Sequence, residues 1–121
     1  MGENMNEDLR TRTKTFALRI IKMYSVLKKS DSVAQVLGKQ VLRSGTSVGA
    51  NYREACRARS GVEFVSKLGE CLKELEETTY WLELLVDSGR VAPVKMAGLL
   101  DETNQLLAIF TTISKKTKSG R

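Results

Sequence analysis

The sequence predicts an all-α fold, an antiparallel up-down four-helix bundle, on three observations. Apolar residues recur at helical spacing through four separate stretches. Three sets of cap and turn signals divide them: Ser30-Asp31-Ser32, Ser60-Gly61-Val62-Glu63, and Asp87-Ser88-Gly89 with Ala92-Pro93 beyond. One proline and few aromatic residues (three Phe, three Tyr, one Trp) suit helices better than a β sandwich. Helices are expected at about 7–29, 31–59, 61–88 and 93–114 in a single domain. Short connections make sequential helices antiparallel neighbours.

In the first helix Asn6 precedes Glu7 and Asp8, an N-cap followed by acids in the first turn, and residues 1–5 are expected to fray. Leu9, Phe16, Ile20, Met23 and Leu27 form a helical seam. Ala17, Leu18, Ile21 and Tyr24 widen it beyond the one face a surface helix needs, which predicts neighbours on two sides. Lys28 and Lys29 suit its C-terminus.

The second helix starts at a cap supplied by Ser30 or Asp31. Wound at about 100° per residue, it puts Val33, Leu37, Val41, Val48, Tyr52 and Ala55 on one side. Gln40, Ser44, Ser47 and Asn51 make a polar stripe along the edge of that face. Polar groups beside a core need hydrogen-bond partners, so Ser47 and Asn51 are expected to fix how this helix meets its neighbour. Asn51→Ala is then expected to cost roughly 1–3 kcal/mol. Lys39, Arg43, Arg53 and Arg57 gather on the opposite side, within an arc of about 80°, as a basic ridge roughly 27 Å long. Gly45 and Gly49 each cost up to ~1 kcal/mol against Ala in a helix interior. A close helix crossing or a kink accounts for such a pair.

Ser60 and Glu63 form a capping box for the third helix. Its seam reads Phe64, Leu68, Cys71, Leu72, Leu75, Thr79, Leu82 and Val86, and Gly89 supplies a left-handed cap. Tyr80, Trp81 and Leu84 lie off the seam, which marks them as an oligomer interface. Pro93 opens the fourth helix at its first position, with Val94, Ala97, Leu100, Leu107, Phe110 and Ile113 facing inward. The segment 115–121 is expected to be a disordered basic tail.

The net charge of +6 is unevenly spread. Residues 1–60 carry 12 Lys/Arg against 5 Asp/Glu, whereas residues 61–114 carry 4 against 9. A basic first half points to nucleic acid. An acidic third helix offers a second destination for the same cations, within the chain or between subunits. No stretch approaches the ~20 apolar residues of a membrane span, and the N-terminus lacks a hydrophobic signal core, so no membrane association and a cytoplasmic location are expected. Cys56 and Cys71 read as small buried hydrophobes.

The chain has no histidine, which removes Ser-His-Asp and Cys-His catalysis and the Glu-x-x-His ligands of di-iron bundles. Two cysteines on separate helices do not make a zinc site, and no phosphate-binding loop motif occurs. Glu70, Glu74 and Glu77 at helical spacing read as a solvated or salt-bridged face. No catalytic residue, metal site or cofactor is expected, and the chain does not read as an enzyme.

The run Arg43-x-x-x-Ser47-Val48-x-x-Asn51-x-x-Glu54-Ala55, then Arg57 or Arg59, Phe64 and Leu72-x-x-Leu75-Glu76, resembles a known pattern. It is similar to the four-helix-bundle family encoded in intervening sequences of bacterial large-subunit ribosomal RNA genes. The likeness covers about residues 12–113. Tyr52, Arg53 and Ala55 depart from the Ile, Ala and Gly usual in that family. The resemblance implies an up-down bundle, a pentameric homo-oligomer and no established enzymatic activity. A distant relative, the accessory protein of diversity-generating retroelements, works with a reverse transcriptase and nucleic acid.

Two functional expectations follow. In the first, a homo-oligomeric bundle binds RNA or DNA phosphates through Lys39, Arg43, Arg53 and Arg57, giving affinity without sequence choice. In the second, it is a homo-oligomeric scaffold that holds a protein partner without nucleic acid.

Overall fold

The three turns predicted from cap chemistry form where their residues direct. In the computed structural model, which describes residues 3–119 and the side chains of 8–119, the chain makes α1 (Glu3–Ser25), α2 (Ser32–Cys56), α3 (Gly61–Asp87) and α4 (Pro93–Ser119). Asp31 is the N-cap of α2, its Oδ1 accepting from Ala34 N–H at 3.0 Å. Ser60 Oγ accepts from Glu63 N–H at 3.1 Å and starts α3. Among the described residues the reciprocal bond from the Glu63 carboxylate is not made, so the capping box is half formed. After α3, Arg90 N–H returns to Leu85 O and Gly89 N–H to Val86 O, with Gly89 at φ +80°. That is the Schellman closure, in which a glycine takes the left-handed position at no steric cost. Pro93 is the first residue of α4, where its missing N–H goes unneeded.

The helices pack in sequence, α1 on α2, α2 on α3 and α3 on α4, while α1 meets α4 only lightly. This is the up-down four-helix bundle. Phe16, Ile20, Val41, Val48, Leu68, Leu75, Leu82, Leu106 and Phe110 are fully buried along its axis. Tyr52 crosses the core to Phe110, with ring centroids 5.4 Å apart and planes inclined at 54°. No helix among the described residues is long and apolar enough to cross a membrane.

Several boundaries differ from expectation. α1 begins at Glu3, so Asn6 lies within it rather than at its cap; Met1 and Gly2 fall outside the described residues. α1 stops at Ser25 because the next amides bond three residues back, Val26 to Met23 O and Leu27 to Tyr24 O, which tucks Leu27 into the core. Lys28 and Lys29 therefore sit in the turn, past the helix end. α2 ends at Cys56, with Arg57 as its cap. The expected disordered tail is a correction in the other direction: Lys115 to Ser119 continue α4 as helix, leaving only 120–121 outside the described residues.

Two faces are also corrected. The inner face of α4 is Met96, Leu99, Thr103, Leu106, Phe110 and Ile113, while Val94 is 83% exposed and Ala97 also faces out. α1 does meet two neighbours, α2 closely and α4 lightly, but its widened seam is only partly covered: Ala17 and Tyr24 are half-buried, whereas Leu18 and Ile21 are 56% and 45% exposed.

Candidate functional site

The basic ridge on α2 is divided by its neighbours. Arg43 leans over α3, where its Nη1 donates to Glu74 Oε1 at 3.3 Å and its Nη2 to Glu77 Oε1. This cation answers the chain's own acidic helix. On the same edge Glu54 is held by Lys67 at 2.8 Å, and the pair raises the Lys67 pKa. Lys39 and Arg57 remain exposed, with no ion pair among the described residues. Arg53 turns the other way, toward α1.

The α1–α2 crossing is made close by small residues. A Cβ placed on Gly45 would lie 2.8 Å from Ile20 Cγ1, and one on Gly49 would lie 3.2 Å from Thr13 Oγ1. Gly45 and Gly49 thus serve the close crossing that their helix-interior positions predict. Thr13 is buried and donates to Leu9 O at 2.7 Å, so its hydroxyl is satisfied within α1. Above this contact lie two adjoining clefts. One, of 320 Å³, is lined by Thr13, Lys14, Ala17, Thr46, Gly49, Ala50 and Arg53. The other, of 480 Å³, is lined by Arg10, Thr11, Lys14, Thr15, Leu18 and Arg53. Lys14 and Arg53 stand in both, and neither lining contains an acid. Arg10, Lys14 and Arg53 form no ion pair among the described residues. Arg10 and Lys14 did not emerge from the sequence, because only their placement opposite Arg53 distinguishes them from other solvated cations of α1.

The polar stripe is structural at one point. Thr78 Oγ1 on α3 donates to Ser44 Oγ at 2.8 Å, both residues being wholly buried. Ser44 Oγ also lies 3.0 Å from Gln40 O, and Thr78 Oγ1 lies 2.7 Å from Glu74 O. With a longer contact from Ser44 Oγ to Val41 O at 3.5 Å, two hydroxyl protons are shared over four contacts, and neither group lacks a partner. Ser47 is half-buried and bonds back to Arg43 O within its own helix, at 2.7 Å. Asn51 is half-buried and has no hydrogen bond among the described residues, and its amide is not sealed from solvent. Gln40 is half-buried, and its backbone carbonyl is what meets Ser44. The register-fixing role expected of Ser47 and Asn51 thus falls to Ser44 and Thr78. The expected seam carried Thr79 in place of its neighbour Thr78, and it is Thr78 that is wholly buried, while Thr79 is half-buried.

Of the three off-seam residues on α3, only Tyr80 is exposed, at 55%. Trp81 and Leu84 are half-buried, and Trp81 packs against the core, edge-on to Tyr80 at 5.1 Å. Trp81 Nε1 is buried without a hydrogen-bond partner among the described residues.

The Cys71 thiol donates to Val48 O, and burial pushes its pKa up to about 12, which keeps it protonated. Burial also raises the Tyr52 hydroxyl, a side chain that is 1% exposed and so unable to stack on a base. Among the described residues no three His, Cys, Asp or Glu side chains converge to hold a metal ion.

Comparison with known proteins places this bundle. The chain is similar over 91% of its length, at 35% identity and a TM-score of 0.84, to the crystal structure of a protein of unknown function from the S23 ribosomal protein family of Bacteroides thetaiotaomicron. The match covers 97% of that chain. Among curated proteins, none matches. Residues 6–112, most of the chain, match the 23S rRNA-intervening sequence proteins. The chain belongs to the 23S rRNA-intervening sequence protein family.

Proposed function

We propose that this protein is a non-catalytic, self-assembling cytoplasmic bundle that holds the phosphate backbone of RNA or DNA along its α1–α2 face. One observation carries the reading: Arg10, Lys14 and Arg53 surround two adjoining clefts that contain no acid. Unpaired cations on a rigid helical surface attract phosphate strongly, without reading bases. Lys39 and Arg57 extend the face along α2; Arg43, spent on Glu74 and Glu77, does not belong to it. With Tyr52 buried, base stacking contributes nothing there, so binding is expected to be indifferent to sequence.

The test is affinity by fluorescence anisotropy, for single-stranded and duplex RNA at low salt. Replacing Arg10, Lys14 and Arg53 together by Gln is expected to abolish binding to every sequence, while Arg43→Gln leaves it close to wild type. Equal losses in the two variants would contradict the assignment.

A scaffold reading draws on a different observation, the exposed side chains of Leu18, Ile21, Val36 and Tyr80. Solution mass by light scattering, with and without RNA, separates the two readings. The scaffold reading predicts an oligomer whose mass RNA does not alter.

A further inference from the structure

We propose that the cleft between the second half of α1 and the first half of α4 binds a small amphipathic anion, a hydrocarbon chain or ring bearing one carboxylate or phosphate. The proposal is independent of the α1–α2 face.

The cleft arises from topology. No loop joins α1 to α4, and their contact is the lightest between packed helices of the bundle. It is clamped at one end, where Arg12 Nε and Nη2 donate to the two carboxylate oxygens of Glu102, each at 2.8 Å. Toward the other end a cleft of 370 Å³ lies between the helices. Small-molecule sites run from about 300 to 1,000 Å³ and favour the spaces between bundle helices.

Its lining is of two kinds. Met23, Val91 and Leu99 give it an apolar floor, extended by Val26, which is 76% exposed. Arg19, Lys22 and Lys95 contribute three cations from both walls, and the lining contains no acid. None of the three is ion-paired among the described residues. Gly98 positions one of them: Arg19 Nη2 lies 3.2 Å from where a Cβ on Gly98 would sit, so the missing side chain lets the guanidinium rest against α4. Glu102, the carboxylate whose pKa Arg19 helps to lower, already has both oxygens held by Arg12.

Apolar floor and cationic rim together define the occupant. Hydrocarbon covers the floor, and a terminal anion relieves the mutual repulsion of the rim. The volume admits on the order of a dozen water-sized groups at about 30 Å³ each.

The test is calorimetric titration with decanoate, decyl phosphate and neutral 1-decanol as monomers, alongside vesicles of zwitterionic lipid with and without anionic lipid. Decanoate and decyl phosphate are expected to bind at one site per chain, and decanol about tenfold or more weakly, the loss of a charge-assisted contact. The double variant Lys22→Glu/Lys95→Glu, altered only at exposed positions, is expected to lose about the same factor with its thermal midpoint retained. Gly98→Phe is expected to fill the cleft and block both anions while keeping the helical circular dichroism. Equal binding of decanol and decanoate would overturn the proposal. So would undiminished binding in the double variant, response to anionic vesicles alone, or a cleft covered by a second copy, seen as a mass that falls in Lys22→Glu/Lys95→Glu.

Discussion

Ser44 and Thr78 show what a single buried pair contributes. Each hydroxyl has a second acceptor in its own helix, Gln40 O for one and Glu74 O for the other, so removing either side chain strands no polar group. Ser44→Ala is therefore expected to cost about 1 kcal/mol, one net hydrogen bond, rather than the larger penalty of an orphaned group. Asn51→Ala, lacking any partner among the described residues, is expected to stay within about 0.5 kcal/mol of wild type. Chemical denaturation of both variants checks the order. A larger loss at Asn51 would show that it meets a partner in the assembled protein.

Helix crossings are legible in the glycines. Gly45→Ala must move Ile20, itself wholly buried, whose Cγ1 lies 2.8 Å from the new Cβ. A loss of about 1–3 kcal/mol is expected, the usual cost of overpacking. Gly69 has nothing within 4 Å of its added Cβ, so Gly69→Ala is expected to gain up to about 1 kcal/mol from helix propensity alone. Opposite shifts in thermal midpoint check the pair; a stabilised Gly45→Ala would mean the α1–α2 crossing is looser than described.

The same scale shows why some faces were legible in sequence and others were not. α2 has one apolar face, a glycine pair and a strong cap, and Val41, Val48, Tyr52 and Ala55 all point inward as its periodicity requires, with Leu37 half-buried; only Val33, in the first turn, departs from that face, at 45% exposed. α4 carries apolar neighbours at Met96-Ala97, Leu99-Leu100 and Leu106-Leu107, so two faces about 100° apart fit the spacing equally well, and only packing selects between them. The candidate site was half legible. Arg53 stands out within α2, but Arg10 and Lys14 join it, and Arg43 leaves it, through contacts between helices that no periodicity within one helix encodes.

At the scale of the whole molecule, α1 and α4 are tied across an open seam by Arg12 and Glu102. Hydrogen bonding from Arg12 is the main cause holding the Glu102 carboxyl below its ordinary value. A depressed carboxylate pKa adds stability above the unfolded value of about 4.3 and loses it as pH falls through the folded value. Thermal midpoints of wild type and Arg12→Ala are thus expected to differ at pH 7 and to converge as pH falls below about 4.3 and through the lower folded value. A gap that persists in acid would assign the loss to the packing of the Arg12 stem or to its hydrogen bond with Gln105, 2.8 Å long, instead.

The central claim, that phosphate meets the α1–α2 face and not the whole basic ridge of α2, is tested most directly by the salt dependence of RNA binding. Each phosphate contact contributes about 0.7 to the slope of log affinity against log salt for a single strand. The double variant Lys14→Gln/Arg53→Gln should reduce that slope by about 1.4 and Arg43→Gln should leave it unchanged. A slope that Lys14→Gln/Arg53→Gln does not move, or that Arg43→Gln lowers as much per residue, would contradict the account.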